Sequence, residues 1–183
     1  MNCKIHKQAM RVKKGLFLFL MFFVLAAFSI QPENTEEYSL KAAFIYKFTN
    51  YIEWDKNLNG DQFVIGIIGN SPINSMLTEI AKTKTIKGKK IVVREYHTPD
   101  EIGSCDILFV SQKSEHPISE ILSRVSSKGT LTISEKPGYA AAGTGINFVQ
   151  AGNKVKFEAN PKAIYSSGLT ASSQLLKLAI IVN

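Results

Sequence analysis

From Glu33 onward, apolar positions recur with two different periods, and the alternation between them lays out an α/β chain. Leu40, Ala43, Phe44, Phe48, Tyr51 and Ile52 are spaced by three and four behind Asn34 and Glu37, which form a cap pair. This spacing predicts an amphipathic first helix ending near Trp54. Gln62 to Ile68 (QFVIGII) reads as a short buried strand. Gly69-Asn70-Ser71-Pro72 then turns the chain into a second helix, with Ser71 as cap and Pro72 as first helical residue. Ile73, Met76, Leu77 and Ile80 form its apolar stripe.

Lys89 to Tyr96 carries a second strand around Ile91-Val92-Val93. Cys105 to Val110 is a third, and its unbroken apolar run fits a central strand covered on both faces. Pro117 opens a helix with Ile118, Ile121, Leu122 and Val125 at helical spacing, and Thr130 to Ile133 makes a fourth strand. Gly145 to Val149 and Lys154 to Ala159 alternate around Ala151-Gly152-Asn153, the pattern of an antiparallel hairpin. Asn160-Pro161 caps a short helix, and Leu169 to Val182 is expected to form the last one. Strands separated by helices predict a three-layer α/β sandwich: a mostly parallel sheet of about six strands, finished by an antiparallel hairpin, with helices on both faces.

Ahead of this pattern, Lys4, Lys7, Arg11, Lys13 and Lys14 precede the apolar run LFLFLMFFVLAAFSI, with Ala27 and Ser29 spaced for cleavage. Residues 1–29 are therefore read as a secretory signal peptide and 30–183 as one domain exported to the periplasm. A spanning anchor needs about 20 apolar residues, and this run is shorter. The formal charge of +7 becomes 17 bases against 15 acids past the leader, which argues against a protein built to neutralise a nucleic-acid backbone. The basic stretch Ala81 to Lys90 reads as a solvated loop. Cys3 leaves with the leader and Cys105 stays alone, so the fold must rest on its apolar core without an internal disulfide.

Chemistry-bearing motifs are scarce. There is no GxxxxGK[ST], HExxH, CxxC or GxSxG, and Gly143-Thr144-Gly145 lacks the third glycine of a dinucleotide site. Glu95, His97, Asp100 and Cys105 lie close together but offer one histidine where a zinc site needs several ligands, so they read as an ordinary strand end. Cys105 with His116 is set aside as a nucleophile and base, because Cys105 opens the most apolar strand. No catalytic set, cofactor or metal site is expected. Ligands of open parallel sheets gather beyond the strands' carboxyl ends, here Gly69-Asn70-Ser71 and Ser111-Gln112-Lys113, where helix starts at Ser71 and near Pro117 suit an anion. Plain turn and cap chemistry is the competing reading. Leu175, Leu176, Leu178, Ala179, Ile180, Ile181 and Val182 leave only Lys177 polar, so the last helix is expected to be core or to be covered by a partner or a second copy in a homodimer.

EYSLKAAFIYKFTNYIEW (Glu37 to Trp54), FVIGIIG (Phe63 to Gly69), CDILFVS (Cys105 to Ser111), TLTISE (Thr130 to Glu135), INFVQAGNKVKFEAN (Ile146 to Asn160) and SGLTASSQLLKLAIIV (Ser167 to Val182) follow one another in an order that resembles the YfiR family of periplasmic regulators. The resemblance implies a non-enzymatic protein similar to a periplasmic repressor, one that holds an inner-membrane diguanylate cyclase inactive through its extracytoplasmic sensor region. Sequestration by an outer-membrane lipoprotein, and cyclic di-GMP output and biofilm formation downstream, are implied with it. The cysteine of CDILF is kept without a partner, so redox control through an internal disulfide is not carried over. The matched positions Glu158 and Asn160 in FEAN and Gly168, Ser172 and Ser173 in GLTASS are expected, with Asn70 and Ser71, to grip a small ligand or a partner loop. Caps and turns explain the same residues. Two rival functions are a ligand-sensing subunit of another receptor, such as a histidine kinase, and a small secreted hydrolase that would lose turnover on replacing Cys105 or His97.

Overall fold

Strands that are apolar on both faces require a helical layer on each side, and the chain supplies both. The structure is a computed structural model that describes residues 33–54, 60–125, 129–152 and 154–182, and the expected leader lies outside these. Residues Thr35–Asn183 form one unit. Its elements are α1 (Glu33–Phe48), β1 (Ile52–Trp54), β2 (Gln62–Ile68), α2 (Ile73–Thr83), β3 (Thr85–Ile86), β4 (Lys89–Tyr96), β5 (Ile107–Val110), α3 (Ile118–Val125), β6 (Leu131–Ser134), β7 (Ile146–Ala151), β8 (Lys154–Ala159), α4 (Pro161–Ser166), β9 (Leu169–Ala171), α5 (Ser173–Leu178) and β10 (Ile180–Ile181).

Among the described residues, eight strands form one sheet in the order β10-β8-β7-β6-β5-β2-β4-β3, with β1 and β9 paired separately. From β4 through β2, β5 and β6 to β7 every pairing is parallel, and the β7–β8 hairpin is antiparallel. The expected three-layer α/β sandwich is what forms. Period-two alternation divides each central strand between two cores. Phe63, Ile65 and Ile67 of β2 and Ile107 and Phe109 of β5 pack with Ala42, Ile45 and Phe48 of α1 and Ile73 and Leu77 of α2. Val64, Ile68, Leu108 and Val110 face the other way, onto Ile121 and Val125 of α3.

Four expectations need correction. The first helix stops at Phe48, with Asn34 inside it, and Ile52–Trp54 is a strand held antiparallel by Leu169–Ala171. Its buried stripe is Tyr38, Lys41, Ala42, Ile45 and Phe48, while Leu40 is 45% exposed. The stripe is displaced because a cation occupies a core position, where acidic neighbours neutralise it. At α2 the helix begins at Ile73, with Pro72 before it, although the Ser71 hydroxyl still accepts from the Ile73 N–H at 3.3 Å. Ala81 to Lys90 is no loop: it ends α2, forms β3 and, through the turn at Lys87-Gly88, enters β4. The sheet thereby gains an extra edge strand.

The fourth correction is the largest. No single helix runs from Leu169 to Val182; the segment breaks into β9, the six-residue α5 and β10. Pairing wins over helix propensity here, because Ala171, Thr170 and Leu169 find β1 and Ile180 and Ile181 find β8. After β9, among the described residues, only Leu175 is fully buried, with Ala179 packed partly against the same core.

Candidate functional site

At the carboxyl end of the parallel strands, β2 and β5 hand their chains to helices on opposite faces, which makes the gap between them the switch point where ligands of such sheets sit. In this protein its own side chains close the gap. The Ser111 hydroxyl donates to the Asn70 carbonyl at 2.8 Å, and the Ser111 N–H donates to the Ile68 carbonyl at 3.0 Å. Gly69 adopts φ +85°, and a Cβ there would lie 2.9 Å from the Ser114 backbone, so only glycine permits this approach. Asn70 is exposed at the mouth and Ser71 is buried beneath it.

Below the gap lies a buried ionic group that the sequence reading missed. Lys41 of α1 donates to Glu135, which follows β6, at 2.7 Å and pairs with Glu37 at 2.5 Å. The side chains of Lys41 and Glu135 are 7% and 1% exposed. The other Glu135 oxygen accepts from the Tyr38 hydroxyl and the Gln112 N–H, each at 3.2 Å. The Lys41 ammonium also lies 4.7 Å from the centre of the Tyr38 ring. Burial pulls the Lys41 pKa down, but the bonds to Glu135 and Glu37 outweigh it and hold the ammonium above its ordinary value. Burial and then the Glu135 charge push the Tyr38 hydroxyl up. With the Glu135 carboxylate and the Lys41 ammonium paired in the interior and the half-buried Glu37 beside them, the arrangement fastens α1 across the sheet's carboxyl edge, a structural role that does not require turnover.

The remaining candidates lie farther along the sheet, toward the β7–β8 hairpin and the β10 edge. Asn160 is buried and caps α4: its carbonyl oxygen accepts from the Ala163 N–H and its amide donates to the Ala140 carbonyl, both at 2.9 Å. Ser172 caps α5 through the Leu175 N–H at 3.2 Å, and its own N–H donates to the Tyr51 carbonyl at 2.8 Å. Gly168 takes φ +75° where α4 ends, and both it and Ser173 are exposed. Glu158 is half-buried and accepts from Asn147 at 2.9 Å, while Asn147 in turn accepts from the Ser134 hydroxyl at 2.7 Å. The structure thus brings Glu158, Asn160, Gly168, Ser172 and Ser173 to the β8–α4–α5 region and leaves Asn70 and Ser71 with the β2–β5 gap. A cleft of about 300 Å³ adjoins Asn160, lined by Leu122, Val125, Thr132, Lys162 and Ser166. Thr132, like Asn160, is already engaged within the fold, accepting from the Gly145 N–H at 2.9 Å.

Beside Glu158 the surface changes character. The β10–β8 register sets Ile180 opposite Glu158 and Ile181 opposite Ala159. Leu178, Ile180 and Ile181 are 72%, 47% and 45% exposed. Successive strand residues point to opposite faces, so this edge is apolar on both. The signal was legible as two β-branched residues at the end of an otherwise helical run.

The residues weighed for metal or nucleophilic chemistry are engaged elsewhere. The His97 N–H is bonded to the Glu101 carboxylate at 2.8 Å, Asp100 pairs with Arg124, and the His116 ring meets the His97 carbonyl at 3.2 Å. Cys105 is fully buried. Among the described residues no three His, Cys, Asp or Glu side chains come together as a metal site, and no helix is long and apolar enough to cross a membrane.

No curated protein matches the chain. A family model described as YfiR/HmsC-like matches residues 38–180, from the Tyr38 that touches Glu135 to the first residue of β10. The chain belongs to the YfiR/HmsC-like family, as the order of its segments implied.

Proposed function

We propose that this protein is an exported, non-catalytic regulator that binds the extracytoplasmic sensor region of an inner-membrane diguanylate cyclase and holds the enzyme inactive. The observation that carries the reading is the family match over residues 38–180. A regulator of this kind works by differential affinity: it binds the receptor's inactive state better, and loses that preference when a competitor or ligand occupies it. The competitor in this reading is an outer-membrane lipoprotein.

The β10 edge favours another polypeptide over a small molecule as the bound partner. An open edge with apolar side chains on both faces suits an added strand, whose main chain supplies hydrogen bonds while pockets take its side chains. Glu158 is proposed as the polar contact beside it, with Gly168 and Ser173 at its margin and Asn70 as a separate exposed contact. Asn160 and Ser172 support these positions as caps, and Ser71 accepts from the Ile73 N–H in the turn before α2. A second copy of the chain is the rival occupant of the same edge.

Deleting the gene is expected to raise cyclic di-GMP, and the wild-type gene should return it to the starting level. A Leu178→Asp, Ile180→Asp variant that accumulates normally should fail to do so. An unchanged cyclic di-GMP level after deletion would overturn the proposal.

A further inference from the structure

The basic stretch at the opposite edge has no part in that contact. Folding gathers it from three elements: Lys82 and Lys84 at the end of α2, Lys87 in the β3–β4 turn, and Lys89, Lys90 and Arg94 on β4. Lys82, Lys84, Lys87, Lys90 and Arg94 are exposed and Lys89 is half-buried. The acids beside them are Asp61, Glu79, Glu95 and Glu53, of which Glu79 pairs with Lys82 at 2.6 Å and Glu53 lies between Ile52, whose carbonyl accepts from Lys87 at 3.1 Å, and Trp54. From Ile30 onward the chain has 17 bases and 15 acids, and this edge holds six of the bases against four of the acids. Among the described residues, bases outnumber acids at this end of the sheet.

We propose that this edge is an electrostatic docking surface for a bilayer of anionic phospholipid, and that it holds the regulator against the membrane that carries its receptor; the inference rests on the exported reading above. Five of the six cations are lysines, compact charges on flexible stems rather than planar forks. On β4, next to the two-residue edge strand β3, Lys90 and Arg94 point to one face and Lys89 to the other, so the charge wraps this end of the sheet, and Lys82 and Lys90 also flank an open cleft of about 550 Å³ over Ile91 and Val93. The two aromatics recorded against this edge, Trp54 and Tyr46, are half-buried and engaged, with the Lys87 ammonium 5.0 Å from the Trp54 ring and the Tyr46 hydroxyl donating to the Thr85 carbonyl at 3.3 Å, so neither offers a free stacking platform for a nucleic-acid base among the described residues. A fluid layer of headgroups conforms to charges distributed in this way, whereas a rigid acidic protein needs matched geometry.

Each basic residue near an anionic surface raises partitioning roughly fivefold at low salt, and screening reduces the gain. The test is co-sedimentation of the processed protein, purified from the periplasm, with vesicles of phosphatidylcholine alone or mixed with phosphatidylglycerol. Binding to the anionic vesicles should exceed binding to the neutral ones by about tenfold or more at low ionic strength and should collapse near 1 M salt, where the screening length is about 3 Å. At low ionic strength K84Q/K90Q/R94Q should lose about a hundredfold, while K113Q/K154Q/K156Q, with the same charge removed elsewhere, should stay within about twofold. Equal binding to both vesicle types, or equal loss in the two variants, overturns the proposal. Cyclic di-GMP measured in the same strains keeps the two readings apart. A triple variant that no longer binds vesicles but represses fully sinks the membrane role alone, and vesicle binding by a protein whose deletion leaves cyclic di-GMP unchanged sinks the receptor reading alone.

Discussion

The two edges of the eight-stranded sheet meet solvent in opposite ways. At β3–β4 the outermost strand, Thr85–Ile86, is flanked by Lys84 and Lys87 and paired with Lys90 and Lys89 of β4, and the chain is turned back by a residue at positive φ, Lys87, followed by Gly88. At β10 the outermost positions are Ile180 and Ile181, with Leu178 exposed just before them. Charge, lysine above all, is the usual guard against an unwanted strand pairing with an open edge. One chain that guards one edge and leaves the other apolar treats its edges as different surfaces. The guarded edge suits a diffuse anionic layer, and the unguarded one suits a polypeptide.

That contrast lasts only while the sheet between the edges is held as one body, so the largest expected effect comes from cutting the group that fastens α1 to it. Lys41→Met leaves Glu135 buried without its cation, at a cost of about 3–5 kcal/mol. For a domain of this size, melting should fall by roughly 10 °C or more. Amide exchange should quicken at both edges together. Quickening at one edge alone would show that the ionic group serves a single side of the sheet. The double change Lys41→Met, Glu135→Leu removes both charges and should recover much of the loss.

A smaller effect is expected at the β2–β5 gap. Gly69→Ala sets a Cβ against the Ser114 backbone at a positive φ, and should cost about 1–3 kcal/mol in denaturant unfolding. The substitution touches neither edge, so the difference between them should survive it. Vesicle binding or repression that disappeared with only this loss of stability would tie the surfaces to the carboxyl end.

Raising the pH tests the same fastening without mutation. Lys41 and Tyr38 both have folded-state pKa values above their ordinary 10.5 and 10.0. Each therefore stays protonated to higher pH when folded than when unfolded, and its contribution is complete below the unfolded value and lost as pH rises through the folded one. Stability should be flat through neutrality and decline above about pH 10. The Lys41→Met, Glu135→Leu protein should show a shallower decline, and an unaltered one would remove the ionic group from the explanation.

Legibility in the sequence followed the range of the interactions. The strand Gln62 to Ile68 and the hairpin around Gly152 were visible because local alternation and continuous apolar runs reflect burial directly. Asn160 before Pro161 was visible as a cap because capping is local. The group Lys41–Glu135 was not, since its members lie 94 positions apart and neither residue departs from a helix or strand pattern. The same distance in sequence hid the pairing of Ile52–Trp54 with Leu169–Ala171, which turned the ends of two expected helices into strands. Of the candidate site, the polar positions were found but their bonds were not: Asn160 and Ser172 spend their side chains on helix starts, and the apolar edge beside Glu158 emerged only once the last helix broke.

The smallest expected changes in stability are the most direct test of the two edges. Ile180→Lys adds a guard where there is none, and the pair Lys84→Val, Lys90→Val removes one where it exists. All these positions are exposed, so each variant should unfold within about 0.5 kcal/mol per substitution of the parent. Association should nonetheless move in opposite directions. Sedimentation at high concentration should show less self-association for Ile180→Lys and more for the valine pair, because a strand edge recruits another strand when its charges are gone and refuses one when they are added. If both variants sediment like the parent, edge charge does not govern what this sheet pairs with, and the division between a guarded edge and a receptive one fails even though the fold is intact.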